Sequence, residues 1–198
     1  RHVSHIAPVA LGVIAGFGFR DIQSGLDQDN DKLIRVEAWG GVRLHSKGSQ
    51  FADCSNLTEF TATDAPDLST VTDMTEMFID ADAFAGGVST WELSSVTTTR
   101  AMFMRAAAFN EDISGWDVSG VTDMNGMFAR AGSFNADISG WDVSSVTDMG
   151  RMFLDATAFN QDLSGWCVSE IPTEPDLFAD GSALEAAHMP NWGASCEP

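Results

Sequence analysis

A 25-residue period runs through the middle of the sequence and limits what this chain can fold into. One copy begins at Val71 (VTDMTEMFIDADAFAGGVSTWELSS), and others begin at Val96, Val121 and Val146. A fading fifth begins at Ile171, and a divergent one precedes Val71, where Phe51-Ala52-Asp53-Cys54 aligns with Phe78-Ile79-Asp80-Ala81. A repeat this short cannot bury its own apolar side. It must stack on its neighbours, with atypical copies at both ends. Within one copy Val121, Met124, Met127, Phe128 and Ala131 follow the spacing of one helix face or a 3₁₀ run, with Thr122 or Asp123 at its start. Phe134, Ile138, Trp141 and Val143 then continue the apolar set through an extended stretch around the Ser139-Gly140 turn. The expected architecture is an α/β repeat: short parallel strands on one side, near 135–138 or 141–143, and short helices or 3₁₀ runs on the other.

Charge follows the repeat. The 198 residues hold 10 Lys and Arg against 29 Asp and Glu, a net charge of −19. Residues 1–49 have six basic and five acidic groups, while residues 50–198 have four basic and 24 acidic. Such a chain lacks the basic face that nucleic acid or an anionic membrane requires, which makes cations its natural partners. Nine Met, 13 Phe and six Trp argue against disorder. The longest apolar stretch, 6–19, is interrupted by Pro8, Gly12, Gly16 and Gly18 and is too short to span a bilayer. It reads as one or two buried strands, and the start at Arg1 reads as a cut from something larger.

The phrases FNEDISGWDVSGVTDMNGMF (109–128) and FNADISGWDVSSVTDMGRMF (134–153) resemble the BspA-type leucine-rich-repeat surface proteins of bacteria. The resemblance covers residues 33–196. It implies a right-handed leucine-rich-repeat solenoid of about six coils including caps, a secreted or cell-surface location, and a role in adhesion. It supplies neither a catalytic site nor a ligand. The chain divides into residues 1–32, the strands of a flanking or split domain; 33–70, an N-terminal cap and divergent repeat; 71–170, four repeats; and 171–198, a degenerate repeat and C-terminal cap.

Several groups of residues are candidates for chemistry. Asp27, Asp29 and Asp31 alternate along a loop and form a Ca²⁺ candidate, although Lys32 stands where an EF-hand has Gly. Asp112, Asp137 and Asp162 stack at one repeat position and form a weaker Ca²⁺ candidate. Like charges about 5 Å apart cost on the order of 1 kcal/mol, so either local N–H groups or bridging cations must offset them. Asp117 and Asp142, with Glu92 before them, form a parallel column and a candidate interaction face. Asp73, Asp123 and Asp148, with Thr98 between, are expected to cap helices.

Other columns have structural readings. Trp91, Trp116, Trp141 and Trp166 alternate with polar positions and should face the core. Asn110, Asn135 and Asn160 should bond backbone inside their turns. Thr72, Thr97, Thr122 and Thr147 stack as an ice-binding array would, but each adjoins an Asp or Thr. Cys167 and Cys196 are placed to pin the C-terminal cap by a disulfide, which an extracellular setting permits. Cys54 sits where other copies have Ala and should be a buried free thiol.

No catalytic constellation emerges. His2, His5, His45 and His188 lie outside the regular copies, and no phosphate loop or zinc spacing occurs. The expected function is a non-enzymatic extracellular adhesion module, supported by Ca²⁺ and partnered by a protein or by a second copy in a homodimer. The alternatives are a passive spacer or, as a minor case, a carbohydrate- or ice-binding solenoid. Neither nucleic-acid binding nor membrane insertion is expected.

Overall fold

The computed structural model describes residues 4–6, 33–44 and 48–196. Three short strands form one parallel sheet in chain order: β1 (Ser4–Ile6), β2 (Leu33–Val36) and β3 (Glu59–Phe60). Ser4 pairs with Leu33 and Ile6 with Val36, while Arg35 and Val36 pair with Glu59 and Phe60. Residues 4–6 thus share a sheet with residues 33–36 and 59–60. A 3₁₀ turn covers Ala186–His188. The expected leucine-rich-repeat solenoid, with its strand side and helix side, is overturned. Among the described residues no α-helix occurs, the repeats at 71–170 contain only turns and isolated bridges, and neither 135–138 nor 141–143 is a strand.

The physical reason lies in where alternate backbone N–H groups go. Ala101, Phe103 and Arg105 donate to the carbonyls of Asn125, Met127 and Ala129 in the next coil at 2.8–2.9 Å. The intervening Met102, Met104 and Ala106 donate back to Thr99, Ala101 and Phe103 at 3.0–3.2 Å. A helix needs every N–H bonded four residues back, so diverting alternate donors stops propagation after each turn. Successive three-residue turns space side chains much as a helix does, which is why the apolar pattern resembles one. The diversion sets residues such as Ala101 (φ 51°) and Arg105 (φ 61°) in the left-handed region. That costs roughly 1–2 kcal/mol each and is offset by the bonds to the next coil.

This arrangement repeats down the stack. Glu76, Phe78 and Asp80 donate to the coil that follows, as do Gly126, Phe128 and Arg130, and Arg151, Phe153 and Asp155. Parallel bridges link Asp73, Thr98, Asp123 and Asp148 in a second row. Each coil points the same side chains inward. Phe103 and Phe109 stack within a coil at 3.9 Å, and each stacks on its counterpart in the next coil, Phe103 on Phe128 at 5.8 Å and Phe109 on Phe134 at 5.9 Å. These offset aromatic columns, with Val, Met, Ile and Trp columns around them, form one continuous core.

The C-terminal segment closes the last coil. Cys167 and Cys196 form the disulfide expected from their positions, with Cα atoms 5.4 Å apart. Trp192 packs edge-on against Phe178 at 4.9 Å.

Candidate functional site

The outward carboxylates form ordered columns, each member held by its own turn. Asp112 accepts the Ser114 N–H at 3.0 Å and its hydroxyl at 2.7 Å. Asp137 and Asp162 accept the N–H groups of Ser139 and Ser164, each at 3.0 Å. Asp117 and Asp142 accept both the N–H (3.1 Å) and the hydroxyl (2.6 Å) of Ser119 and Ser144. These bonds hold all five carboxyls below the usual Asp range. The Ser hydroxyl is the larger cause at Asp112, Asp117, Asp142 and Asp162, and the Ser139 N–H at Asp137. Column neighbours act in the opposite sense: the charge of Asp112 pushes Asp137 up, and that of Asp142 pushes Asp117 up. The Asp-x-Ser pattern is therefore the local device that keeps stacked like charges ionised. Glu92 is exposed at the head of the second column.

The column expected to cap helices caps turns instead. Asp73, Asp123 and Asp148 accept the N–H two residues on, from Thr75, Asn125 and Gly150, at 2.8–2.9 Å. Asp27, Asp29 and Asp31 lie outside the described residues. Among the described residues no group of three or more His, Cys, Asp or Glu side chains is arranged to hold a metal ion.

The remaining columns join coil to coil. Trp116, Trp141 and Trp166 are buried, and their indole N–H groups donate to the carbonyls of Val88, Ile113 and Ile138 at 3.0–3.1 Å. Trp91 Nε1, equally buried, has no acceptor among the described residues. Asn110 and Asn135 each accept the N–H of the next Asn at 2.7 and 2.9 Å, so the Asn ladder runs between coils and not within one turn. The stacked Thr97, Thr122 and Thr147 turn their hydroxyls back onto the preceding Thr carbonyl at 3.0–3.2 Å. Cys54 is a buried free thiol, which burial and then the charge of Asp53 push up to about 12.

Two features went unread in the sequence. Ion pairs bridge successive coils: Arg105–Asp80, Arg130–Asp155 and Arg151–Asp176, with Arg43–Asp67 before them. A signal existed, since an Arg stands about 25 residues from each Asp. Glu111 reaches back to the N–H groups of Gly87, Val88 and Ser89 at 2.6, 2.8 and 3.3 Å. The Gly86-Gly87 pair, unique to that copy, admits it, because a Cβ on Gly86 would lie 2.7 Å from the Glu111 carboxylate.

Comparison with known families finds a match. The family described as "Mycoplasma protein of unknown function, DUF285" matches residues 46–166 and 72–192. The two overlapping matches start one coil apart, as a repeated unit requires. No curated protein matches, and no solved structure does.

Proposed function

This chain belongs to that family, and we propose that it serves as a non-catalytic extracellular interaction module of a surface protein of the BspA kind. In this reading the carboxylate columns meet a protein partner, or a second copy, with Ca²⁺ between opposing carboxylates. The supporting observation is that Asp112, Asp137 and Asp162, with Asp117 and Asp142 beside them, stand outward in register while their own Ser residues hold them ionised. A face so charged repels its own kind, so two copies meet only across cations, which take carboxylate oxygens readily. The disulfide accords with an oxidising location. No helix among the described residues is long and apolar enough to cross a membrane. Asp27, Asp29 and Asp31 belong to the same reading as a further Ca²⁺ ligand set.

Light scattering of the purified chain in Ca²⁺ and then in EDTA tests this. The expected result is a dimer mass in Ca²⁺ that reverts to monomer on chelation. A monomer in both would end the self-association reading. A passive spacer is the second reading, favoured by one observation: each column carboxylate already holds local partners. A spacer shows no change of mass, and Ca²⁺ raises only its thermal stability.

A further inference from the structure

The Cys167–Cys196 bridge lies open to solvent. A cavity of about 360 Å³ lies between residues 164–167 and 191–196, and both cysteines line it together with Ser164, Gly165, Asn191 and Ser195. Cys196 is exposed and Cys167 half-buried. Exposed bridges are the ones that exchange readily with thiols, because the attacking thiolate must reach a sulfur. Cys54 is fully buried, so no thiol of the described chain competes.

Little else holds residues 189–196. Their backbone donors turn to near neighbours, Met189 to Ala186 and Ala194 to Asn191. Among the described residues no backbone hydrogen bond ties 189–196 to the preceding coils. Packing remains: Trp192 rests edge-on against Phe178 at 4.9 Å, and Met189 lies against the core. Position also decides which thiols reach the bridge. Cys167 follows Asp142 by one 25-residue period, as Asp142 follows Asp117, so it continues that carboxylate column. Column neighbours feel one another, as the push of Asp142 on Asp117 shows. An arriving thiolate meets the Asp142 charge one coil away, on a chain of net charge −19. Each negative charge it carries slows its approach.

We propose that the Cys167–Cys196 bridge is a reversible latch: small dithiols without anionic groups open it through the cavity, and residues 189–196 then leave the core while the stacked coils stay folded. A thiolate of the dithiol attacks Cys196 Sγ, the exposed sulfur, and forms a mixed disulfide. The S–S bond breaks, and Cys167 leaves as a thiolate that takes a proton from water. The second thiolate of the reagent then attacks its own sulfur in the mixed disulfide, expels Cys196 and closes a cyclic disulfide. Two electrons and two protons pass from the dithiol to the cysteine pair, and an oxidised dithiol runs the steps in reverse. Trp192 then loses the contact with Phe178 that the bridge keeps in place. The latch is independent of the Ca²⁺ reading, since neither cysteine is a proposed Ca²⁺ ligand.

The test uses the ¹⁵N-labelled 198-residue chain without denaturant. Dithiothreitol followed by iodoacetamide should label Cys167 and Cys196 and spare Cys54, counted by mass. Loss of the bridge is then timed with cysteamine, 2-mercaptoethanol and mercaptoacetate at equal thiolate concentration. At low salt the rates should fall in that order, about tenfold from first to last, and Asp142→Asn or high salt should narrow the spread. In NMR spectra of the reduced chain the Trp192 indole signal should move to the position of an unstructured tryptophan, while those of Trp116 and Trp141 stay. Cys167→Ser should place the Trp192 signal there without any reductant. Four results overturn the proposal: a bridge that yields only in denaturant, equal rates for the three thiols at low salt, a Trp192 signal unmoved by reduction, or Trp116 and Trp141 signals that move with it.

Discussion

Replacing Trp141 and Trp91 by Phe, one at a time, isolates what the indole ladder contributes. Both side chains are buried, 4% and 3% exposed, and both changes shave a similar volume from the core, at roughly 1–2 kcal/mol. They differ in the hydrogen bond. Trp141 Nε1 donates to the Ile113 carbonyl at 3.1 Å, and that carbonyl also accepts the Trp116 N–H at 3.1 Å. Losing the indole leaves the carbonyl one partner, so the added cost sits near the low end, about 1 kcal/mol. Trp91→Phe instead removes a buried donor that has no acceptor among the described residues, relieving a penalty of roughly 1–3 kcal/mol. The Trp141 variant should therefore lose about 2–3 kcal/mol and the Trp91 variant about 1 kcal/mol at most. In urea, with a slope of about 2 kcal/mol per molar, the two midpoints should differ by roughly 1 M. Unfolding followed by the fluorescence of the remaining tryptophans measures this. Equal midpoint shifts for the two variants would refute the reasoning.

The remaining predictions concern backbone, covalent and ionic features. Ala101→Gly relieves a left-handed residue and should stabilise the fold by about 1 kcal/mol in the same urea assay, although glycine usually costs stability. Cys167→Ser opens the Cys167–Cys196 bridge and should cost roughly 3–4 kcal/mol of thermal stability, read by calorimetry. Cys54 should resist iodoacetamide at pH 8 in the native chain and react fully in denaturant, counted by mass. Asp112, Asp117, Asp137, Asp142 and Asp162 titrate lower in the folded chain than in the unfolded one. Their contribution is present above the ordinary Asp value of about 3.9 and fades as pH falls through the lowered folded values. Thermal melts from pH 6 to pH 2 should show that loss, and Ser114→Ala, Ser119→Ala and Ser144→Ala together should shrink it.

The register of the stack was legible in the sequence because position fixes it. Residues 25 apart share an environment, so one alignment set the Trp and Phe columns inward and the Asp columns outward. The same logic matched Cys54 to a core Ala, while the pairing of Cys167 with Cys196 was read from their places in the last full copy and at the C-terminus. What the spacing could not separate is a helix from a run of three-residue turns. Met124, Met127 and Phe128 suit both, and the choice rests on where the N–H groups of Gly126, Phe128 and Arg130 find acceptors. Those acceptors lie in another coil. The left-handed Arg130 and Arg151 gave no local cue either, since only Gly at such places announces itself. In the site, Asp followed two residues on by Ser signalled a local cap and the column signalled repulsion, so both halves of the carboxylate argument were readable. The reach of Glu111 into the Gly87–Ser89 turn was not, because it depends on a copy in which glycines replace side chains.

A one-way ladder joins the coils, and its last three donors, Leu177, Ala179 and Gly181, have no acceptor among the described residues. Native-state hydrogen exchange of single amides reads this ladder bond by bond. Strong protection is expected at Phe78, Phe103, Phe128 and Phe153, each donating to the next coil, and rapid exchange at Leu177, Ala179 and Gly181. Rapid exchange at those four Phe amides, or protection at Leu177, Ala179 and Gly181 equal to theirs, would contradict it.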